Sequence, residues 1–226
     1  MVQFSGVHRV ISMTTTASAG SRGPYARSVE RRRSIAQAVL DTVVEKGHEN
    51  VTTAEIARRA GTSEATALYH YPTKEHLLVA ALELSDEQTA LRPSIAEHRA
   101  VLHDLREFVA TTAERTNIMR LHTVLLGRAG SPGHPAREFL IRRNQEAIAY
   151  FARLVRHRQQ EDLAHPGLDP VEVARQFIAA WDGLQAQWLL DPSFDFGDHL
   201  VQAFRRLSGQ NWMETRTALL DPSCGL

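Results

Sequence analysis

This sequence has little cysteine and no long apolar run. Cys224 is the single cysteine among 226 residues, which excludes an internal disulfide and favours a reducing compartment. The opening segment MVQFSGVHRVISM is interrupted by His8 and Arg9, and no stretch approaches the ~20 uninterrupted apolar residues that a transmembrane helix needs. Export and membrane insertion are not supported, so we predict a soluble, cytoplasmic protein.

Common motifs for metal binding and catalysis are also missing. The 11 histidines form no H-E-x-x-H motif and no pair at i, i+4. His98 and His103 are separated by five positions, which places them on different faces of a helix. There is no CxxC motif, Gly-rich phosphate loop or serine elbow. We predict that the protein is not an enzyme and needs no metal and no cofactor.

The formal net charge is zero, which provides no overall attraction to nucleic acid, but the charges are unevenly distributed. Residues 1–80 carry 10 Lys and Arg against 7 Asp and Glu. Within residues 22–33 only Glu30 opposes a cluster of arginines, namely Arg22, Arg27, Arg31, Arg32 and Arg33. The cluster suits an anionic partner, although taken alone it is equally well explained as a solvated helix start.

The N-terminal region divides into an arm and a first helix. Residues 1–26 are rich in Ser, Thr, Gly and Arg without an apolar period, which predicts a disordered basic arm. The run MTTTASAGSRG makes Met13 a candidate for the true start, and N-terminal sequencing of the native protein would test this. From Ser28 the apolar residues follow a helical spacing that Gly47 ends, at Ile35, Ala38, Val39, Thr42 and Val43.

Residues 51–78, VTTAEIARRAGTSEATALYHYPTKEHLL, contain the pattern of two short helices around a glycine turn. Thr52 and Glu55 form a capping box, which starts a helix at Thr53. Gly61 ends this helix after about eight residues. The pattern predicts a short second helix followed closely by another.

Ser63 caps the next short helix, predicted over residues 64–71, and Thr73 caps a fourth helix. Helices this short are unstable alone, so the first helix must pack behind the pair. In such a three-helix head the second helix of the pair enters the major groove of DNA, because an α-helix fits its width and presents side chains to base edges. We therefore predict a helix-turn-helix DNA-binding domain over residues 27–82.

Roles for individual side chains follow from their type and position. Thr66 and Tyr69 are the leading candidates for base contacts, while Tyr69 and His70 are long enough to reach a flanking phosphate. Lys74 is the best phosphate anchor, because its charge adds to the free N–H groups at the start of the fourth helix. The same reasoning applies to Thr53 in the second helix.

Neighbouring side chains are interpreted as structural. Glu64 offsets the dipole of its helix and makes no DNA contact. Leu68 is expected in the core. Tyr71 is interpreted as a core aromatic, with a DNA contact as the alternative, and His70 could be a packed surface residue instead of a phosphate ligand.

The segments SIAQAVLDTVVEKGHENVT and AEIARRAGTSEATALYHYPTKEHLL resemble the helix-turn-helix head of the TetR family of transcriptional regulators. The combination of AGxS, an aromatic cluster and TKE carries the resemblance, which covers about residues 34–82. It implies an all-α homodimer, with a small DNA-binding domain and a larger domain that binds an effector and dimerises through its last two long helices. The DNA-binding positions that it implies are Thr53, Ala54, Thr66, Tyr69, His70 and Lys74, to which we add Arg27 and Arg31.

The sequence departs from the family pattern at two positions. Leu68 stands where the third helix usually has an aromatic residue, which leaves the base preference open. His48 replaces the usual aromatic residue after Gly47, and we expect this change to affect packing only.

The remainder of the chain contains only helical patterns, over about residues 95–116, 117–127, 135–160, 170–190 and 196–208. No strand pattern competes with them, which predicts an all-α fold. We expect the three-helix head to be followed by a larger helical effector-binding and dimerisation domain, residues 83–208, and a C-terminal tail, residues 209–226.

One face of the predicted helix over residues 170–190 is too apolar to be left in water. Its segment VARQFIAAWDGLQAQWLLDP also resembles the penultimate helix of the family, and Gly183 would permit close helix approach. We predict a four-helix dimer interface, with packing inside the monomer as the alternative. The predicted interface residues are Phe177, Trp181, Leu184, Trp188, Val201 and Phe204.

The resemblance also implies a small-molecule effector site inside the larger domain. Such pockets usually have apolar linings with few polar groups. Candidate lining residues, each of which is more often plain core, are Met119, His122, Leu125, Phe151, Phe177 and Trp181.

Together these observations predict a ligand-responsive homodimeric regulator, and most simply a repressor that a small molecule releases from a palindromic operator. Two recognition helices about 34–36 Å apart would match such an operator. The alternative is a helical small-molecule-binding or interaction protein without sequence-specific DNA binding, against which Lys74 and the arm arginines argue. The expected partners are double-stranded DNA, an effector and a second copy of the chain, but no membrane.

Overall fold

The computed structural model of the chain describes residues 24–89, 105–106 and 116–220. Every regular element within these ranges is helical, which confirms the all-α prediction. No helix in the described part of the chain is long and apolar enough to cross a membrane. The described α-helices are α1 (Pro24–Lys46), α2 (Thr53–Arg59), α3 (Glu64–His70), α4 (Lys74–Thr89), α5 (Thr116–Arg128), α6 (Ala136–Gln160), α7 (Pro170–Leu190), α8 (Phe196–Leu207) and α9 (Gln210–Leu220).

Two predicted segments fall mostly outside the described residues. The helix expected over residues 95–116 does so except for Leu105 and Arg106, which are helical, and Thr116, where α5 begins. Residues 1–23 of the predicted arm also lie outside. Residues 24–26 belong to α1, so the arm prediction is wrong for these residues. Pro24 can begin the helix because the backbone N–H groups of a first turn have no acceptor within the helix, and proline lacks only such an N–H.

The starts of α2 and α3 are capped as the sequence predicts. Thr52 Oγ1 accepts a hydrogen bond from the backbone N–H of Glu55 at 3.3 Å. Ser63 Oγ accepts one from the backbone N–H of Thr66 at 3.2 Å. Each cap satisfies a donor that the first turn of a helix leaves free, and together they fix where the two short helices begin.

A glycine turn joins α2 to α3. Gly61 has a φ of 60°, in the left-handed region that glycine adopts without steric cost. The Thr62 N–H donates to the Ala57 carbonyl at 2.9 Å and the Gly61 N–H donates to the Arg58 carbonyl at 3.3 Å. This Schellman arrangement ends α2 and turns the chain into α3.

A first apolar cluster, here called the head cluster, holds α1 to α3 against α4, α5 and the start of α6. Its fully buried side chains include Ile35, Ile56, Leu78 and Leu125. Ala67 is the buried residue of α3. The predicted boundary between residues 82 and 83 falls inside α4, which continues to Thr89. The central part of this helix, between Leu77 and Leu84, contributes to the head cluster.

A second apolar cluster, here called the C-terminal cluster, joins α6, α7 and α8. Its centre consists of Phe151, Phe177 and Phe204, whose ring centroids lie 4.8 to 6.3 Å apart in tilted or edge-to-face pairs. Such geometry adds to the stabilisation from burial alone. The three helices therefore form one packed layer within a single protomer.

Helix α9 differs from the predicted C-terminal tail over residues 210–220. Its apolar periodicity is weak, and among its described residues Met213 is the only buried hydrophobic side chain. The helix is instead held by long-range contacts: the buried Arg158 donates to Gln210 Oε1 at 2.7 Å, and the His165 and Trp212 rings meet at 4.6 Å. Such contacts leave no periodic pattern in the sequence.

The first turn of α4 is tied to the connection between α5 and α6. Glu75 Oε1 accepts a hydrogen bond from Arg128 at 2.7 Å, and Glu75 Oε2 lies 3.3 Å from His134 Nε2. The other ring nitrogen of His134 accepts from the Ala136 N–H at 3.2 Å, so Nε2 carries the proton and faces the carboxylate. Lys74 and Glu75 are adjacent, so one helical turn links the head to the larger domain.

Candidate DNA-reading site

Helix α3 is anchored by one residue and exposes most of the others. Ala67 is fully buried, and the Tyr71 ring that follows the helix is buried as well. Ala65 and Tyr69 are exposed, and the Tyr69 ring has 82% of its surface accessible. The helix therefore presents a wide face to solvent while its opposite side holds it to the head cluster.

Tyr71 closes the head, as the sequence predicts. Its hydroxyl donates to the Arg32 carbonyl at 3.2 Å, and the Arg32 guanidinium lies 4.9 Å from the ring centroid. Burial raises the pKa of the Tyr71 hydroxyl, which keeps it a neutral hydrogen-bond donor. The residue thus links the end of α3 to α1.

Leu68 does not lie in the core, so that prediction is wrong. Its side chain is 42% exposed, because the 7-residue helix turns only Ala67 inward. Adjacent side chains of an α-helix point about 100° apart, so the buried position of Ala67 places Leu68 at the side of α3. Its apolar character alone did not reveal which of these two neighbours is buried.

The predicted contact residues of α3 keep polar groups near the exposed face. Thr66 is half-buried, and its hydroxyl lies 2.9 Å from Ser63 Oγ. His70 is half-buried and its ring meets that of Tyr69 edge-on at 5.3 Å. Thr66 therefore takes part in the cap of α3, and His70 supports Tyr69.

Residues on other helices surround α3. Lys74 is exposed and its Nζ donates to the Glu49 carbonyl at 2.8 Å, in the short 3-10 helix before α2. Arg31 is exposed on α1 and donates to the Gly61 carbonyl at 3.2 Å, in the turn before α3. Arg27 is exposed, as is Ala54, whereas Thr53 is half-buried. The structure thus fixes two cations against the connections that lead into α2 and α3.

A cluster of ion pairs on α2 was not anticipated from the sequence. Glu55 accepts hydrogen bonds from both Arg58 and Arg59, and Arg59 also donates to Glu45 at 2.7 Å. The bonds from Arg58 and Arg59 lower the pKa of Glu55 to about 2. These arginines are therefore neutralised within the head, and the i, i+3 and i, i+4 spacings of Glu55 could have indicated this.

The predicted dimer residues are not a free surface. Phe177 and Phe204 are 0% and 1% exposed, and Val201 is also buried, all within one protomer. For these three the alternative interpretation is correct, because α6, α7 and α8 of the same chain cover them. The half-buried Trp181, Leu184 and Trp188 pack against that same cluster, and their part in a dimer stays a prediction.

The residues predicted to line a ligand pocket are not all brought together. Met119, Phe151 and Phe177 are buried in the C-terminal cluster, with Trp181 packed against them. Leu125 instead belongs to the head cluster. It lies there because its side of α5 packs toward α1 and α4, so a shared pocket lining that includes Leu125 is not supported.

His122 is the centre of a buried polar group between α5, α6 and α7. Arg143 Nη1 donates to His122 Nε2 at 3.0 Å, and the Gln185 amide lies 3.2 Å from Nδ1. Arg143 also donates to Asp86 at 2.7 Å. Burial, followed by the charge of Arg143, lowers the pKa of His122 to about 3, so the imidazole is neutral at physiological pH.

The tautomer of His122 follows from its neighbours. A guanidinium can only donate, so Nε2 is the acceptor and Nδ1 carries the single proton. The Gln185 amide nitrogen, which lies 3.2 Å from Nδ1, also donates to Thr123 Oγ1 at 3.2 Å. Nearby on α7, burial raises the pKa of Asp182 while Arg143 opposes this.

The head has the features that define a helix-turn-helix DNA-binding protein. These are a solvent-exposed short helix after a glycine turn, side-chain caps on both short helices and a third helix packed behind them. Residues 37–81 match the family model for bacterial regulatory proteins of the tetR family. The chain therefore carries a DNA-binding head of the tetR type, and the curated relatives to which it is similar are HTH-type transcriptional regulators.

A curated relative and two solved structures are similar to the chain over most of its length. The HTH-type transcriptional regulator PksA of Bacillus subtilis is 25% identical over 170 residues, which cover 72% of this chain and 80% of PksA. A TetR-family regulator from Rhodococcus sp. has a TM-score of 0.60 at 22% identity, covering 80% of this chain and 99% of that one. A transcriptional regulator from Saccharomonospora viridis, in complex with choline, has a TM-score of 0.62 at 23% identity, covering 81% and 97%.

Proposed function

We propose that this regulator is a homodimeric repressor that binds a palindromic operator and leaves it when a small-molecule effector binds. The observation that carries the proposal is the exposed face of α3, held by Ala67 and flanked by Lys74 and Arg31. Its base-contacting residues are Thr66 and Tyr69.

The flanking cations supply the phosphate contacts in this proposal. A lysine ammonium has three donors and an arginine guanidinium has five. Lys74 and Arg31 are each held by a hydrogen bond to a backbone carbonyl of the head, and their other donors are available for phosphate oxygens. Arg27 and the first turn of α2, with Thr53 and Ala54, complete the proposed contact surface.

DNA binding is tested by fluorescence anisotropy with duplexes selected from a random library and with the DNA upstream of the gene itself. A regulator of this kind binds with an affinity that falls steeply as salt increases, because bound cations displace counterions from phosphates. Absent or salt-insensitive binding would refute the proposal and favour the alternative, a helical binding protein without DNA recognition.

Lys74→Ala separates phosphate contacts from base contacts. A dimer loses two phosphate contacts, so the slope of log affinity against log salt should become shallower by about 2. Thr66→Ala or Tyr69→Ala should instead reduce the preference for the selected sequence. Lys46→Ala is the matched control, because Lys46 lies on the same head but faces Glu55 at 3.7 Å. Equal effects of Lys74→Ala and Lys46→Ala would contradict the assignment.

For the dimer we propose contacts through the outer face of α7, since its inner face is covered within the protomer. Ala179, Gly183, Gln187 and Leu190 are exposed there at helical spacing. A Cβ built on Gly183 meets nothing within 4 Å, so this face leaves room for a second helix. The resemblance of α7 to the penultimate helix of the family supports the same face.

Gly183→Leu tests the dimer. Because Gly183 is exposed and a Cβ there meets nothing within 4 Å in the protomer, the substitution should leave the fold intact while blocking a close approach between two copies. Sedimentation should therefore show a shift toward a monomer of 25.3 kDa. Gly127→Leu is the control, since Gly127 is another helical glycine with open space around it. A Gly183→Leu protein that dimerises as strongly as the control would exclude this face.

For the effector we propose a site among α5, α6 and α7, with Trp181 as an apolar contact and the His122 group as polar contacts. The complex of the Saccharomonospora viridis relative with choline supports small-molecule binding by this fold. An effector must bind the two states of the regulator differently, because equal affinity shifts no equilibrium. Compounds are therefore tested for release of the labelled operator, beginning with choline. Release that survives Trp181→Ala and His122→Ala unchanged would place the site elsewhere.

A further inference from the structure

We infer that Leu68 reads DNA sequence: the apolar face formed by Ala65, Leu68 and Tyr69 recognises the 5-methyl group of thymine in the major groove. The inference rests on the proposed DNA-binding function and adds the chemistry of the base that is read. Its starting point is the position of Leu68, which the structure places outside the core.

Helix geometry puts these three residues together. Successive side chains are rotated by about 100° around a helix, so residues three and four apart are neighbours on its surface. Ala65 has Leu68 and Tyr69 at i+3 and i+4, and all three are exposed. The buried Ala67 marks the opposite side of α3. Ala65 and Tyr69 thus lie at the outermost line of the helix, with Leu68 directly beside them.

The exposure of Leu68 has an energetic meaning. A leucine that is partly exposed forgoes some of the stabilisation that full burial would supply. Single exposed apolar residues are common on protein surfaces, but here the leucine adjoins a second large side chain, with Leu68 42% and Tyr69 82% exposed. A contiguous apolar face on the helix that enters the groove indicates a partner surface that is itself apolar.

The charges around α3 select the partner. Lys74 and Arg31 are fixed beside the connections into α2 and α3, so this side of the head complements the phosphate backbone. Glu64 is exposed one turn before Leu68, and its carboxylate would repel a phosphate near that flank. The backbone contacts therefore belong to the cations, and Leu68 is left to face the base edges.

Leucine can read only one feature of a base edge. Its side chain has no donor or acceptor, so it does not distinguish the hydrogen-bonding groups of guanine, adenine or cytosine. The only apolar group that a base pair presents in the major groove is the 5-methyl group of thymine. The small Ala65 beside Leu68 allows the helix to approach closely enough for this contact.

The test uses the full-length protein and a duplex selected from a random library with the wild-type chain. Each thymine of the selected half-site is replaced in turn by uracil, which removes only the methyl group, and affinities are measured by anisotropy at one salt concentration. At one thymine, the change to uracil should lower the affinity of the wild type about fourfold when it is made in one half-site and about 15-fold when it is made in both. These values are expected for one methyl-sized contact per protomer.

Leu68→Ala should abolish the discrimination between thymine and uracil. The variant should bind the two duplexes with nearly equal affinity. Val44→Ala is the matched control, because Val44 is an aliphatic residue of α1 that is 41% exposed, against 42% for Leu68. It should retain the wild-type discrimination. Thermal unfolding of both variants should match the wild type, since neither substitution removes a buried side chain.

Two outcomes would overturn the inference. If Leu68→Ala weakens binding equally to both duplexes, or if no thymine-to-uracil change matters to the wild type, Leu68 does not read a methyl group, although the proposed function stands. If the selection yields no preferred sequence and no salt-dependent binding, the proposed function fails and the inference fails with it.

Discussion

Acidification is expected to destabilise this protein through His122. The ring is buried, and Arg143 donates to its Nε2 at 3.0 Å. Protonation of Nε2 would remove the acceptor and place two cations in contact inside the protein. Burial and the Arg143 charge lower the pKa of His122 from 6.5 to about 3.

The direction of the effect follows from which state binds the proton. Between pH 6.5 and 3 the unfolded chain protonates this histidine while the folded protein does not, so stability falls as the pH is lowered. The contribution of His122 is complete above pH 6.5 and is lost progressively below it. At pH 5 the expected loss from His122 alone is about 2 kcal/mol.

The comparison is between wild type and His122→Gln, which cannot titrate. Urea unfolding is followed by tryptophan fluorescence at pH 7.5, 6.5, 5.5 and 5.0, at one protein concentration because subunit association would also contribute. The wild-type free energy of unfolding should fall more steeply with decreasing pH than that of the variant, by about 2 kcal/mol at pH 5. His199→Gln, at an exposed histidine, should follow the wild type. Parallel curves for wild type and His122→Gln would refute the reasoning.

Two further predictions concern the head and its link to the larger domain. Ile56→Ala removes a fully buried side chain from the head cluster and should cost about 2–5 kcal/mol in urea unfolding, whereas Val44→Ala should change stability by less than about 0.5 kcal/mol. Glu75→Gln retains the shape of the side chain but removes the charge that Arg128 and His134 face. It should lower the melting temperature by about 2–4 °C, equivalent to about 1 kcal/mol, and an unchanged value would show that the link contributes no stability.

The short helices of the head could be predicted well because their limits are set locally. Thr52 and Ser63 each cap a helix by a bond to a residue three positions ahead, and Gly61 supplies the turn between them. These interactions depend on spacing alone. The same local information did not reveal whether Ala67 or Leu68 is the buried residue of α3, because both are apolar and only the packing of the head decides.

The larger domain was less predictable because its contacts are distant in sequence. The sequence correctly predicts that the apolar face of α7 is covered. A sequence pattern does not tell whether a helix of the same chain or of a partner covers it. In the structure, Phe177 and Phe204 lie inside the protomer. His122 meets residues 21 and 63 positions away. A polar group assembled over such distances has no local pattern, and neither has the attachment of α9.

If the protein is the switch that we propose, the first turn of α4 has a consequence for how signals pass between DNA and effector. Lys74 and Glu75 are adjacent, yet one contacts the head and the other contacts the end of α5 and the loop before α6. Thermodynamic linkage is reciprocal, so an effector that lowers operator affinity through this turn is itself bound more weakly, by the same factor, by a regulator on DNA. In the proposed switch the operator thus acts as an antagonist of the effector. A cell with more copies of the operator would need a higher effector concentration to respond.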